Sequence, residues 1–230
     1  DSSVGGKTAI DTPQGKNLIG AFWQPSAVIA DTDCLRTLPK KQIVNGLIEA
    51  VKMFLTNDKE SFYYLMQLVL NQSLLETSVS AELIKRAVTI KMNIVSQDER
   101  ETGQRKILNF GHTIGHALEK VSKYQLLHGY AVALGILVEA RISVLLGCLN
   151  QADYQIIQDL FFQLGISGEA LKAFSVESII QATKSDKKVK VGEVQYVLLE
   201  KIGRVYQVAG DVVHTVDDDV VGEALRRNKI

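Results

Sequence analysis

Cysteine, proline and histidine are all scarce in this 230-residue chain, and each scarcity excludes something. The two cysteines, Cys34 and Cys148, fall in no CxxC or secreted-framework spacing, so a disulfide scaffold is excluded and a reducing, cytoplasmic setting is expected. Net charge is missing too: 26 basic residues balance 26 acidic ones, which leaves no polyanion-binding surface and sets nucleic acid aside as a partner. No run of about 18 apolar residues occurs, so no membrane span is expected. The richest apolar run, Ala131 to Leu146, is broken by Glu139 and Arg141 and reads as a buried core helix. There is neither a signal peptide nor an initiating methionine. The opening Asp1-Ser2-Ser3-Val4-Gly5-Gly6-Lys7 reads as a loop from the middle of a longer polypeptide.

What is present falls into two parts. All three prolines (Pro13, Pro25, Pro39) lie in the first 40 residues, with four glycines and one short β-like run, Ser26–Ala30. From Pro39 onward the apolar period is helical: Ile43, Val44, Leu47, Ile48, Val51 and Leu55 recur at spacings of three and four. Further helices are predicted over about 58–71, 80–97, 110–121, 128–147, 151–164 and 168–184, with Gly147 and Gly165 as C-terminal caps. The runs 194–199 and 205–208 flank Lys201-Ile202-Gly203-Arg204 and predict a β-hairpin, followed by a short helix over 217–227. The predicted fold class is mainly α. A multi-helical domain with a small β-hairpin spans 39–230, and 1–38 is the remnant of an α/β Rossmann-like nucleotide-binding domain.

Three of the four histidines, His112, His116 and His128, lie within 17 residues. His112 and His116 are four apart, so on a helix both imidazoles share one face and can address one metal ion or one acid–base site. Spacing alone makes those two the ligand pair, with His128 and a carboxylate as candidates for the remainder. The fourth, His214, sits in an aspartate-rich tail and reads as a surface residue. Glu49 and Lys52 on the helix after Pro39 read, on spacing alone, as an exposed i,i+3 ion pair. Lys91 projects from the apolar face of its helix, where it must be paired, serve a ligand or reach back to solvent. Arg105, Lys106 and Asn109 lead into the histidine motif with groups suited to a carboxylate or phosphate. The Gly5-Gly6-Lys7 and Gly15-Lys16-Asn17 turns have phosphate-cradle composition but match no Walker or Rossmann pattern.

Taken in order, DSSVGGKTAIDTPQGKNLIGAFWQP (1–25), LPKKQIVNGLIEAVK (38–52), DERETGQRKILNFGHTIGHALE (98–119), LLHGYAVALGILVEARIS (126–143) and SDKKVKVGEVQYVLLEKIG (185–203) resemble the 3-dehydroquinate synthases. The resemblance implies that Glu49, His112 and His128 hold a divalent metal, zinc or cobalt. It moves His116 off the metal and into the substrate and proton-transfer network, against the spacing argument. It further implies that Lys52, Lys91, Arg105, Asn109 and Asn17 contact substrate, and that one of Lys187 and Lys188 reaches its phosphate. Asp1, Lys7, Lys16, Thr37 and Leu38 match positions around a nicotinamide cofactor, NAD. Two positions depart from the family's common pattern: Tyr130 where a glutamate is usual, and Gln42 where an acidic residue is frequent.

The activity so implied is conversion of a seven-carbon sugar acid phosphate, DAHP, to dehydroquinate with loss of phosphate, in a cytoplasmic homodimer of the shikimate pathway. The fragment alone is expected to be inactive. Two alternatives stand beside it: a sibling sugar phosphate cyclase, and a metal-dependent NAD polyol dehydrogenase. Retention of Arg105, Asn109 and His116 favours the dehydroquinate branch over its siblings. A non-catalytic helical module would close its metal with four protein ligands.

Overall fold

A computed structural model describes residues 1–12, 15–73, 77–184 and 193–229. Helices dominate, as the apolar periodicity predicts. An antiparallel hairpin opens the chain, β1 (Lys7–Thr12) against β2 (Gly15–Phe22), with Ile10 opposite Ile19. An extended segment and a 3-10 turn, Thr32–Thr37, lead to α1 (Lys40–Asn57). Then follow α2 (Lys59–Leu70), α3 (Thr77–Gln97), a 3-10 turn at Gln104–Asn109, α4 (His112–Val121) and α5 (His128–Leu145). The chain closes with α6 (Gln151–Gln163), a 3-10 turn at Gly168–Ala173, α7 (Val176–Lys184), four short strands and α8 (Asp218–Asn228). Of the strands, β3 (Gln195–Tyr196) pairs with β6 (His214–Thr215), and β4 (Leu199–Lys201) with β5 (Arg204–Val205).

Two expectations are corrected. Ser26–Ala30 forms no strand: it is exposed and joins no ladder among the described residues, because a β-branched run without a neighbour has nothing to pair with. The predicted helix over 110–121 begins at His112, since Gly111 takes φ +77° and separates α4 from the preceding 3-10 turn. The predicted C-terminal caps are present. Gly147 and Gly165 have φ +74° and +79°, each followed by the paired backbone bonds of a Schellman motif. The predicted hairpin is shorter than expected: its turn is that of β4–β5, while Gln195–Tyr196 of the first predicted run pairs with β6 instead. Gly203 at φ +85° donates its N–H to the Leu55 carbonyl (2.8 Å) and docks the turn on the end of α1.

The core is built around α5. Its stretch Ala131–Ala140 is buried on every side, the signature of a central helix rather than an amphipathic one. By length and composition α5 could cross a membrane, but 72% of it is buried within the fold. Helices α1, α4, α6 and α8 pack on it. Burying a Leu, Ile or Phe side chain contributes about 1.5–3 kcal/mol, and Ile48, Phe54, Phe110, Ile114, Ile136 and Ile142 are all fully buried here.

Two glycines set how closely the site-bearing helices approach. A Cβ on Gly135 would lie 2.0 Å from the Gly111 carbonyl oxygen, so α5 meets the start of α4 backbone to backbone. A Cβ on Gly129 would lie 2.0 Å from the Asn45 carbonyl oxygen, so the start of α5 meets α1 in the same way. There Asn45 Oδ1 accepts the Gly129 N–H (2.7 Å), capping from α1 a helix whose own N-cap residue, Leu127, supplies no side-chain bond. At the other junction Glu139, fully buried, accepts from the Gly111 N–H (2.8 Å) and caps α4 from α5.

Candidate metal and substrate site

These junctions deliver three side chains to one point. Glu49 projects from α1, His112 is the first residue of α4, and His128 the first of α5. Their ligand atoms lie within 4.8 Å of one another. Glu49 Oε1 is 3.4 Å from both His112 Nε2 and His128 Nε2. His116 is near, its ring centroid 5.4 Å from His112 and 6.1 Å from His128.

The second atom of each of the three groups is already engaged. Glu49 Oε2 accepts from Lys52 Nζ at 2.6 Å. His112 Nδ1 lies 3.2 Å from the Phe110 carbonyl oxygen, and His128 Nδ1 lies 3.3 Å from Glu119 Oε2. Carbonyl and carboxylate oxygens are acceptors only, so each Nδ1 carries a hydrogen and each Nε2 is the ring atom left to face Glu49 Oε1. That oxygen is buried and has no hydrogen-bond partner. An orphaned carboxylate oxygen facing two imidazole Nε2 atoms fits a divalent cation with N and O ligands, whose binding would displace any proton on those nitrogens. A second group, His116, Glu119 and His128, also meets the distance test. It shares His128 with the first, through Nδ1 at 3.3 Å from Glu119 Oε2 rather than through Nε2. The i,i+4 pair His112 and His116 falls in neither group together: His112 lies with Glu49 and His128, and His116 with Glu119 and His128.

The electrostatics follow from burial and these pairs. Burial opposes ionisation of Glu49, but Lys52, His112 and His128 outweigh it and hold the carboxyl well below its usual range. His112 is pushed down to about 3 by burial and by Lys52, and is neutral. His128 is raised to about 9, first by the Glu119 bond and then by Glu49. The Glu49–Lys52 pair is not the exposed one its spacing suggests. Lys52 is 3% exposed, because α1 turns this face toward the interior.

Around this point lies a wider polar neighbourhood. Lys91 bonds both the carbonyl of Asp1 (2.7 Å) and its carboxylate (2.8 Å), and burial, then Lys52, bring it down to about 8. Of the three readings open for this inward lysine, the described one is pairing. Arg105 is buried, donates to the carbonyls of Gly5 (2.8 Å) and Glu99, and keeps a buried Nε without a partner. Asn109 Nδ2 and Lys7 Nζ both bond Glu101. Glu101 is a non-glycine residue at φ +58°, a strained position held by Asp98, whose carboxylate accepts from the N–H groups of Thr102, Gly103 and Arg105 (2.8–3.0 Å).

Among the expected cofactor residues, Asp1 and Lys7 thus lie in this neighbourhood. Thr37 and Leu38 are exposed at the end of the first 3-10 turn. Lys16 and Asn17 lie on β2 with side chains outside the described residues, as Lys187 and Lys188 are entirely. His214 is pinned rather than free, its Nε2 3.2 Å from the Tyr206 carbonyl oxygen. Sequence reasoning missed Glu101, Glu119 and the capping role of Glu139. Glu119 had a signal, since it lies three residues past His116 on the same helical face.

Comparison with known proteins fits this geometry. Residues 46–189 match the family model "3-dehydroquinate synthase C-terminal", and residues 1–45 match "3-dehydroquinate synthase N-terminal". The chain belongs to the 3-dehydroquinate synthase family. It is 41% identical over 209 residues to the 3-dehydroquinate synthase of Alkaliphilus metalliredigens, covering 90% of this chain and 58% of that protein. It is 39% identical over 227 residues to that of Rippkaea orientalis, covering 94% and 61%. The chain therefore spans about 60% of the length of these family members. Among solved structures, 2-epi-5-epi-valiolone synthase from Streptomyces hygroscopicus with NAD+ and Zn2+ bound matches with a TM-score of 0.86 at 24% identity, covering 99% of this chain and 62% of that one. A 2-deoxy-scyllo-inosose synthase complexed with carbaglucose-6-phosphate, NAD+ and Co2+ matches with a TM-score of 0.83 at 24% identity, covering 99% and 64%. At that identity these two speak to the fold.

Proposed function

We propose that this chain is the metal- and substrate-binding portion of a 3-dehydroquinate synthase, and that the protein carrying it converts DAHP to 3-dehydroquinate and inorganic phosphate. The observation that carries this reading is the buried, unpartnered Glu49 Oε1 facing His112 Nε2 and His128 Nε2. It stands beside Lys52, Lys91 and Arg105, cations suited to an anionic substrate. Glu49, His112 and His128 would hold zinc or cobalt, which when bound supplies a Lewis acid for a substrate hydroxyl. NAD would serve as a hydride carrier that is regenerated within the cycle. Asp1, Lys7, Lys16, Thr37 and Leu38 would form one wall of its site, the exposure of Lys7, Thr37 and Leu38 being suited to a cofactor held against a further domain.

The chain's own side chains have distinct tasks in this proposal. Lys52 and Lys91 neutralise and orient the substrate carboxylate and hydroxyls, with Asn109 and Asn17 adding directed hydrogen bonds. Arg105 anchors the opening loop through Gly5 and lends its positive charge to the anionic substrate. Lys187 or Lys188 meets the phosphate. His116, its ring 5.4 Å from that of His112, holds and moves the proton that accompanies phosphate loss. The overall conversion is redox-neutral, so the protein supplies placement and charge rather than a net oxidant.

Cytoplasmic location, a homodimer and the division at residues 38/39 belong to the same proposal. Its test is phosphate release from DAHP by the full-length protein with NAD and zinc, comparing wild type with His112→Ala. Release that needs NAD and vanishes in the variant supports the reading. A folded, zinc-loaded wild type that releases no phosphate refutes it.

A further inference from the structure

Glu119 is a buried carboxylate on α4, three residues past His116, and it is 3% exposed. It lies on the helix of His112 and His116, yet its Oε2 reaches across to His128 at the start of α5, 3.3 Å from Nδ1. The other two groups at the site have their second atoms fixed locally. Lys52 holds Glu49 Oε2 from one turn away, and the Phe110 carbonyl meets His112 Nδ1 from two residues away. His128 has no such local partner. As the first residue of α5 it precedes the well-packed turns, and its side chain is 42% exposed, against 13% for His112. An imidazole so placed has two open choices, which nitrogen carries the hydrogen and which way the ring turns. Glu119 settles both, because a carboxylate accepts and cannot donate.

We propose that Glu119 is a positioning residue that fixes His128 with a hydrogen on Nδ1 and its Nε2 facing Glu49, the atom that would take the metal. It acts through His128 and touches neither metal nor substrate. This inference rests on the reading of Glu49, His112 and His128 as metal ligands. A carboxylate behind a ligating imidazole fixes the ring and makes it a better donor, and losing one typically weakens metal binding about 10–100-fold. The consequence is a division of labour along α4: His112 binds, His116 handles protons, and Glu119 secures the ligand contributed by the next helix.

The test is zinc affinity of the purified full chain, by competition with a chromogenic chelator, for wild type, His112→Ala, Glu119→Ala and Glu119→Gln. Glu119→Ala is expected to bind about 10–100-fold more weakly. Glu119→Gln, which keeps an acceptor oxygen, should lose less. His112→Ala checks the underlying site: if it binds zinc like wild type, the metal reading fails and this inference with it. If His112→Ala loses zinc while a folded Glu119→Ala binds like wild type, the inference alone is overturned. Should Glu119→Ala not fold, nitrogen-15 histidine spectra of the zinc-loaded wild type decide. A hydrogen on His128 Nδ1 supports the proposal, and a metal-bound Nδ1 overturns it.

Discussion

Replacing Lys52 by methionine should destabilise the metal-free chain far more than the zinc-loaded one. Lys52 is 3% exposed and its ammonium lies 2.6 Å from Glu49 Oε2, while Glu49 Oε1 has no hydrogen-bond partner. Methionine keeps most of the buried volume, so the main loss is electrostatic: a buried carboxylate left without its counter-charge. Breaking such a pair from one side costs about 3–5 kcal/mol. The Glu49 side chain keeps 18% exposure, which favours the lower end, about 3 kcal/mol or about 6–12 °C in Tm for a chain of this size. A divalent cation at the same carboxylate replaces the lost charge, so saturating zinc should restore much of the difference. The pH response also changes. In wild type, Glu49 has a folded-state pKa below its unfolded value, so its contribution is present above the unfolded pKa and is lost as pH falls through the folded one. In the variant one of the causes that lower this pKa is gone and burial is less opposed, so the loss of metal-free stability in acid should be smaller than in wild type. Urea denaturation followed by circular dichroism, with chelator and with zinc, measures both effects. A loss below about 1 kcal/mol that zinc leaves unchanged would refute the reasoning.

Three further outcomes are expected. Asp98 is held at about 2: the slight burial opposes ionisation, and the bonds from Thr102, Gly103 and Arg105 outweigh it. Its stabilisation is therefore complete above pH 4 and lost as pH falls through about 2. Asp98→Asn, discounted for solvent screening, should cost about 1 kcal/mol at pH 7, with a gap from wild type that closes in acid. Gly135→Ala places a methyl 2.0 Å from the Gly111 carbonyl oxygen, so α4 and α5 must separate. Calorimetry should show a loss of about 1–3 kcal/mol or more, and chelator competition a weaker zinc site. Asn45→Ala removes the cap that α1 gives α5 at Gly129, with an expected loss of about 1 kcal/mol and a looser His128.

Much of the fold was legible because its helices follow the periods their apolar residues set, and because Gly147, Gly165 and Gly203 mark turns that need positive φ. The Ser26–Ala30 run failed because strand propensity says nothing about whether a partner strand is at hand. At the site, the three histidines were visible as a cluster, but spacing alone paired His112 with His116. Which rings converge depends on how α1, α4 and α5 cross, and that is set by contacts at Gly111, Gly129 and Gly135 far apart in sequence. For the same reason Glu49 and Lys52 resembled an ordinary surface pair, and only packing shows their burial. Glu101 and Glu119 act through residues that a one-dimensional pattern does not place beside them.

The central claim is that Glu49, His112 and His128 form one cation site. Anomalous scattering at the zinc edge from crystals of the zinc-loaded chain tests it most directly. The account predicts a single strong peak about 2.0–2.2 Å from a Glu49 carboxylate oxygen and from the Nε2 atoms of His112 and His128. A peak bound instead by His116, Glu119 and His128, or none within reach of Glu49, would contradict it.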